Sequence, residues 1–362
     1  MISGMTKWPG FVKSGWISIS NNQSCSFVKR IFFKIALFAA GLGTVMAFWG
    51  GTCSAEKIKG KFIPPDGKVL LMVGQDKDTI DDYVKSVKHV PAGVMLYTSI
   101  QNMDGLLEEG KDYGSGVAHG QYLLEQYPYS VIQIGLYMVD GLEDTIAGKY
   151  DRNIEKLGKW IKQAARPVYL RIGYEFDLPA NRYDPEHYQQ AFRYIVDKLR
   201  KQGVDNVAFI WHTYSRINPG QSTMAWYPGD DYVDWFALSF FDAYNQANMI
   251  RFSRLAQHHQ KPLMIAEATP YGLGTPLGER SWNRWFRKFF SFIEDEDVKA
   301  ACYINSDWDS QPMWQNQGWG NARIQANPLI QDKWRKEIGR DKYLRADQNL
   351  FPLLEQNTGR SG

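Results

Sequence analysis

Residues 168–177 read Val-Tyr-Leu-Arg-Ile-Gly-Tyr-Glu-Phe-Asp. Most of the first six are apolar or β-branched, which is typical of a parallel strand buried on both faces. A glutamate, Glu175, follows this run closely. Because similar runs recur along the chain with helical patterns between them, the sequence predicts an α/β fold.

Seven further runs of this kind complete a regular series. The full set covers residues 69–73, 93–97, 131–138, 168–173, 207–211, 235–240, 263–266 and 300–304. The clearest intervening helix begins at Asp184, an N-cap residue followed by Pro185 and Glu186. Strands and helices in this alternation predict a single-domain (β/α)₈ TIM barrel, with a doubly wound open sheet as the competing topology. A single glycine, Gly74, follows the first run, so a glycine-rich phosphate loop is absent and a dinucleotide-binding fold is disfavoured.

Composition and charge exclude several classes of protein. The chain has 362 residues, of which 44% are hydrophobic, and this excludes a disordered protein. The net charge is +3, but residues 1–55 carry five basic residues and no acidic one, which leaves −2 for the rest. The body of the protein therefore lacks the basic surface that nucleic-acid binding requires.

The first 55 residues have the layout of a secretory signal peptide. Basic residues precede an apolar run over residues 35–51, and small residues follow at 53–55. The basic residues nearest the run are Lys29, Arg30 and Lys34. The alternative is an uncleaved membrane anchor through residues 31–51. In both cases we expect export of the body to the periplasm or the extracellular space.

The remaining chain divides into a barrel over residues 56–340 and a polar C-terminal tail over residues 341–362. The three cysteines of the whole sequence, Cys25, Cys53 and Cys302, form no metal-binding pattern. The histidines also lack the spacing that a metal-dependent barrel hydrolase needs. We therefore expect neither a metal nor another cofactor.

Two glutamates directly follow predicted strands. Glu175 follows the fourth, and Glu267 closes Lys261-Pro-Leu-Met-Ile-Ala-Glu267 at the seventh. The carboxyl ends of barrel strands meet at one rim, and a carboxylate beside apolar residues is costly unless it is paired or protonated. Two such groups with different pKa values can serve as acid and as base or nucleophile, as glycosidic bond cleavage requires. The alternative is that each glutamate forms an ordinary structural ion pair.

Polar and aromatic residues at other strand ends are candidates for sugar binding. Strand periodicity puts Arg171 and Gly173 on the same face as Glu175, where Arg171 can balance the charge of a buried acid. Asparagine and aspartate suit sugar hydroxyls, and tryptophan offers a flat apolar face to a pyranose ring. The candidates are Arg171, Tyr174, Trp211, His212, Tyr244, Asn305, Asp307 and Trp308. For each of them the alternative is a structural role.

Several segments resemble glycoside hydrolase family 26, in a clan of retaining barrel enzymes. The resemblance spans residues 69–334 and is most specific at 170–175, 188–203, 205–207, 227–235 and 261–267. It implies double-displacement cleavage of a β-linked polysaccharide of mannan or glucan type. It also implies that Glu175 is the acid/base, that Glu267 is the nucleophile, and that Trp308 is the tryptophan under the sugar.

Two departures from the family pattern concern substrate specificity. Family mannanases place histidine before the acid/base, where this chain has Tyr174. They also end strand six with a tyrosine that hydrogen-bonds the nucleophile, where this chain has Phe241, and Tyr244 is a candidate replacement. The functional alternative is a non-catalytic carbohydrate-binding barrel that serves envelope polysaccharide assembly.

Overall fold

Parallel strands pair in chain order and close on themselves. The computed structural model describes residues 58–215, 222–244 and 246–356. The barrel strands are β1 (Val69–Gly74), β2 (Gly93–Ser99), β3 (Val131–Tyr137), β4 (Val168–Ile172), β5 (Val207–Thr213), β6 (Trp235–Phe240), β7 (Leu263–Ala268) and β8 (Ala300–Ile304). Each pairs with the next, and β1 pairs with both β8 and β2. The predicted TIM barrel is confirmed, and the open sheet is excluded.

Helices connect most of the strands. They are α1 (Lys77–Val87), α2 (Gly120–Gln126), α3 (Leu142–Ile146), α4 (Asp151–Ala164), α5 (Pro185–Lys201), α6 (Gln246–His258), α7 (Arg287–Asp295), α8 (Pro328–Ile338) and α9 (Leu350–Gln356). A helical turn at Glu279–Ser281 and a π-helical stretch at Trp282–Phe286 lead into α7. The Asp184 carboxylate accepts hydrogen bonds from the backbone N–H groups of Glu186 and His187, both at 3.0 Å, so the predicted start of α5 is confirmed.

Alternate strand residues form two apolar layers. In β1, Leu70 and Met72 belong to the cluster inside the barrel, whereas Leu71 and Val73 pack in the larger cluster that contains the helices. This period of two explains why the strand runs are apolar throughout, since both faces are buried. Side chains fill the barrel interior, so a ligand site can form only at an end.

The amino-terminal end of the barrel is closed by the chain that enters it. The Tyr169 hydroxyl donates to the carbonyl of Phe62 at 2.7 Å, and the Trp235 indole donates to the carbonyl of Lys61 at 2.7 Å. Both donors face the barrel interior at the starts of their strands. These contacts leave the carboxyl end of the barrel for the site.

The prediction of a separate polar tail from residue 341 is wrong for residues 343–356. Strand β9 (Tyr343–Leu344) pairs in parallel with the start of β1. In α9, Leu350 and Leu354 are buried in the same cluster as the barrel interior. These two leucines, one helical turn apart, form a narrow apolar stripe within a polar segment, and overall composition does not show such a stripe.

The predicted leader, including the candidate tether at residues 31–51, lies outside the described residues. Across the described ranges, no helix is long and apolar enough to cross a membrane. Cys302 is buried in the barrel as a free thiol.

Candidate active site

Glu175 reaches the site through a turn. Strand β4 ends at Ile172, and both Gly173 and Glu175 have positive φ angles, +56° and +52°. Glycine is required at the first position because an added Cβ would lie 2.8 Å from the ring of Tyr188. Glu175 itself is held in a conformation that costs about 1–3 kcal/mol, which is common at functional sites. The predicted strand alternation therefore holds for Arg171. Glu175 lies beyond the end of the strand, and its position is set by the turn.

Backbone hydrogen bonds hold this turn in place. The Asn181 side chain donates to the carbonyls of Tyr174 and Glu175 at 3.1 and 3.0 Å. The backbone N–H of Phe176 donates to the carbonyl of His212 on the neighbouring strand at 3.1 Å. The strained residue is thus fixed from two sides.

Glu267 enters the barrel through an irregularity in β7. Ala266 faces the interior and Ile265 and Ala268 face the helices, so strict alternation would point Glu267 outward. The pairing of β7 shifts register against both neighbours at this point, and Glu267 lies opposite Ser239 of β6. This bulge turns the carboxylate into the barrel, where it is only 6% exposed.

Arg171 is the cation that compensates Glu267. Its fully buried guanidinium forms an ion pair with the Glu267 carboxylate. Its Nη2 donates to the Met95 sulfur at 2.9 Å. Its Nη1, the nitrogen that pairs with Glu267, also lies 3.2 Å from Nδ1 of His212. Burial alone would lower the pKa of Arg171, but the charge of Glu267 raises it above its ordinary value. Arg171 is therefore charged and cannot turn away toward solvent.

Two tyrosines pack around this ion pair. Burial and the negative charge of Glu267 raise the pKa of Tyr97 well above its usual range. The rings of Tyr97 and Tyr174 each lie 5.2 Å from the guanidinium carbon of Arg171 and 5.2 Å from each other. Tyr174, a predicted site residue, lies in the site. Tyr97 was not predicted, and its signal is a hydroxyl at the end of the second strand.

A hydrogen-bonded chain joins the two glutamates. From the Glu267 ion pair it passes through Arg171 to Nδ1 of His212, and Nε2 of His212 lies 3.0 Å from the Ser239 hydroxyl. That hydroxyl donates to Oε1 of Glu175 at 2.6 Å. His212 is fully buried, so its predicted contact with substrate is wrong, and it supports the site from beneath.

The two carboxyl groups have different electrostatic surroundings. Burial and the negative charge of Glu267 raise the pKa of Glu175 well above its usual range. The hydrogen bond from Ser239 and the charge of Arg171 oppose this rise only in part. Glu175 is thus suited to hold a proton near neutral pH, whereas Glu267 faces a cation. Burial and the charge of Arg171 lower the pKa of His212, which keeps that ring neutral.

Trp308 lies beside the end of β7. Its indole N–H donates to the hydroxyl of Thr269 at 2.9 Å, two residues after Glu267. The rings of Trp314 and Trp319 lie 5.4 and 5.3 Å from it. This aromatic cluster stands at the carboxyl end of the barrel. Trp308 itself is only 4% exposed, and its contact with a sugar ring stays a prediction.

Phe241 and Tyr271 extend the aromatic cluster around Trp319. Their rings lie 5.2 and 4.8 Å from it, and Tyr271 is 44% exposed. Phe241 has no hydroxyl to offer the nucleophile. Tyr244 does not replace it, since its ring is 59% exposed and lies 3.6 Å from the Lys288 ammonium.

Trp211 is a core residue, so its predicted contact with substrate is wrong. It is fully buried, stacks on Phe176 at 4.6 Å and packs 5.3 Å from Phe252 of α6. It points to the helix layer because its neighbour His212 points inward. Period-two alternation allows only one of the two to face the site.

Asn305 and Asp307 support the loop after β8. Asn305 is fully buried, and its side-chain oxygen accepts from the backbone N–H of Ile324 at 2.8 Å. The Asp307 carboxylate accepts from Asn321 at 2.9 Å and from Arg323 at 3.0 Å. These bonds occupy groups that the sequence assigned to sugar hydroxyls, and they fix the loop that carries Trp308. Within the described part of the chain, no group of three or more potential ligands could hold a metal ion.

Comparisons with known proteins assign the sequence to a family. The model of glycosyl hydrolase family 26 matches residues 156–274, which contain both glutamates. A β-1,3-xylanase from Vibrio sp. is 36% identical over 335 residues, covering 84% of this chain and 72% of the relative. A β-1,3-xylanase from Alcaligenes sp. is also 36% identical, covering 84% of this chain and 71% of the relative.

Solved structures share the fold. A family 26 β-mannanase from Bacteroides ovatus superposes with a TM-score of 0.60 at 15% identity, covering 79% of this chain and 93% of that one. At this identity the likeness speaks for the barrel alone. The family of this sequence is shown by the two β-1,3-xylanase relatives, which are 36% identical and covered over 72% and 71% of their length. The chain belongs to glycosyl hydrolase family 26.

Proposed function

We propose that this enzyme hydrolyses β-1,3-xylan with retention of configuration, using Glu175 as acid/base and Glu267 as nucleophile. One observation supports these roles above all others. The two glutamates stand at the same end of the barrel in opposite electrostatic settings, joined through Arg171. A proton donor beside an ion-paired carboxylate is the equipment of a retaining glycosidase.

The reaction proceeds in two steps. In the first, Glu175 gives its proton to the leaving glycosidic oxygen while a Glu267 oxygen attacks the anomeric carbon. The bond to the leaving group breaks, and a glycosyl-enzyme forms on Glu267. In the second, ionised Glu175 takes a proton from water, and that water displaces Glu267 from the anomeric carbon. Arg171 and Tyr97 hold the nucleophile and stabilise its charge when it leaves.

The choice of β-1,3-xylan rests on the relatives. The two proteins that are 36% identical over most of this chain are β-1,3-xylanases. Tyr174 and Phe241 stand where family mannanases have histidine and tyrosine, which agrees with a substrate other than mannan. Such a polymer is degraded outside the cell, so the proposal includes export, with residues 1–55 as signal peptide or membrane tether.

The test is a substrate screen with matched variants. We expect the purified enzyme to release short oligosaccharides from β-1,3-xylan and little from β-1,4-mannan, β-1,4-xylan or mixed-linkage glucan. Glu267→Gln and Glu175→Gln keep the shape of the site and should each reduce turnover at least about 10³-fold. The first product seen by NMR should be the β-anomer.

Three outcomes would contradict parts of the proposal. Activity that survives both substitutions would exclude the two-glutamate mechanism. Hydrolysis of mannan without hydrolysis of β-1,3-xylan would contradict the substrate. Binding of polysaccharide without turnover would favour a non-catalytic carbohydrate-binding barrel.

A further inference from the structure

The hydrogen bonds beneath the two glutamates have a fixed direction. A guanidinium only donates, so Arg171 leaves Nδ1 of His212 as an acceptor at 3.2 Å. The ring is neutral, and its single hydrogen is therefore on Nε2. That hydrogen points at the Ser239 oxygen 3.0 Å away. The Ser239 hydroxyl hydrogen is then free to bond Oε1 of Glu175 at 2.6 Å.

Ser239 has no alternative acceptor among the residues that the structure describes. Its side chain is 1% exposed, and its recorded partners are His212 and Glu175. Turning the hydroxyl away from Glu175 would leave a buried donor unpaired, which costs about 1–3 kcal/mol. Arg171 thus sets the donor-to-acceptor direction of these hydrogen bonds, and the burial of Ser239 prevents its hydroxyl from turning away from Glu175.

We propose that Ser239 is a positioning residue for the acid/base, and that it keeps Oε1 of Glu175 unprotonated so that the catalytic proton resides on Oε2. This inference rests on the proposed role of Glu175. In the first step the proton leaves Oε2 for the glycosidic oxygen while Oε1 keeps its bond from Ser239. In the second step Oε2 takes the proton from water. The hydrogen bond thus selects which oxygen reacts.

Ser239 also determines how strongly Glu175 holds its proton. A donor to the carboxyl group favours the ionised form. The other titratable groups that act on Glu175 or connect to it are Glu267, Arg171, Asp177, Tyr174, Tyr183 and His212. Glu267 and Asp177 favour protonation and Arg171 opposes it. Loss of the Ser239 donor therefore moves the balance further toward the protonated form.

The experiment is a pH profile of Ser239→Ala, with Ser239→Thr as the conservative variant that keeps the hydroxyl. We expect the basic limb of kcat/KM on β-1,3-xylo-oligosaccharides to move up by about one pH unit in Ser239→Ala, with KM nearly unchanged. Ser239→Thr should restore the wild-type limb. A uniform fall in rate at every pH, with no shift of the limb, would mean a merely structural role and would overturn the proposal.

A second variant tests the chain behind Ser239. His212→Phe removes the donor that orients the hydroxyl, so we expect a smaller shift of the same sign. In the double variant His212→Phe, Ser239→Ala the limb should match that of Ser239→Ala alone, because the histidine acts only through the serine. If the shifts of the two single variants add in the double variant, His212 does not act through Ser239 and this part of the proposal is overturned.

A titration without substrate separates this inference from the proposed function. The carboxyl carbon of Glu175, labelled with ¹³C and assigned by its absence in Glu175→Gln, reports its protonation directly. We expect its midpoint to rise by about one pH unit in Ser239→Ala. An unchanged midpoint overturns the proposed role of Ser239. A shifted midpoint in a protein that degrades none of the polysaccharides supports the role of Ser239 and overturns the proposed hydrolysis of β-1,3-xylan.

Discussion

Glu175 and Glu267 carry the same chemical group, but different residues surround them. Glu175 has one neutral donor, Ser239, whereas Glu267 has the buried cation Arg171. These differences come from residues far apart in sequence. The two glutamates, and Arg171 as a cation that balances a buried acid, could be predicted from their positions on and after strands, but Ser239 could not.

Arg171 is the residue whose loss should be most damaging. In Arg171→Met, Glu267 becomes a buried carboxylate without a cation. We expect the free energy of unfolding to fall by about 3–5 kcal/mol and kcat to fall at least about 10²-fold. Urea unfolding and steady-state kinetics measure both quantities. Arg171→Lys keeps the charge and should recover part of the stability. A Met variant with the unfolding free energy of the wild type and a kcat within threefold of it would contradict this role.

Tyr97 should matter through its hydroxyl group. Tyr97→Phe keeps the ring beside Arg171 and removes a hydroxyl that interacts electrostatically with Glu267, so we expect kcat to fall about tenfold with little change in stability. Tyr129→Phe is the matched control, since Tyr129 is 49% exposed and precedes β3 at the closed end of the barrel. Equal activity of the two variants would exclude Tyr97 from the reaction.

His89 should make the fold sensitive to acid. Neither ring nitrogen has a hydrogen-bond partner in the described ranges, and burial together with Arg345 lowers the pKa of His89 to about 4. The unfolded chain therefore binds the proton more tightly, and this contribution to stability is complete above pH 6.5 and lost as the pH falls through 4. His89→Phe should remove up to about 3 kcal/mol of that loss. If the wild type and His89→Phe lose the same free energy of unfolding between pH 7.5 and pH 4, this role of His89 is contradicted.

At the scale of elements, the strands could be predicted closely and their irregularities could not. All eight predicted runs are strands, because burial on both faces leaves a direct trace in composition. The bulge that turns Glu267 inward leaves no such trace, since Ala266, Glu267 and Ala268 fit either register. The turn at Gly173 and Glu175 was likewise hidden, because glycine is common in strands near active sites.

The carboxyl-terminal helix offers a test at this scale. Leu354 of α9 is fully buried against the barrel interior, whereas Leu353 is partly exposed. We expect Leu354→Ala to lower the free energy of unfolding by about 3 kcal/mol and Leu353→Ala by about 1 kcal/mol. Chemical denaturation of both variants measures this difference. Equal small costs would mean that the helix contributes nothing to the barrel.

For the whole molecule, closure of the barrel assigns its two ends to different tasks. Residues 61 and 62 cap the amino-terminal end, and α9 packs into the same cluster. The carboxyl end collects the glutamates, the tyrosines and the tryptophan cluster. The sequence predicted this division through the barrel itself, since strand ends meet at one rim. It misjudged Trp211 and His212, which are fully buried, because nearness to a strand end does not say how deeply a side chain lies.

Azide rescue of the two glutamate variants tests the central claim most directly, with a β-xylo-oligosaccharide that carries an activated aryl leaving group. In Glu175→Ala the glycosyl-enzyme still forms, and azide should displace Glu267 to give the β-glycosyl azide. In Glu267→Ala azide should replace the nucleophile and give the α-glycosyl azide. Products of one configuration from both variants, or no rescue of either, would contradict the assignment of Glu175 as acid/base and Glu267 as nucleophile.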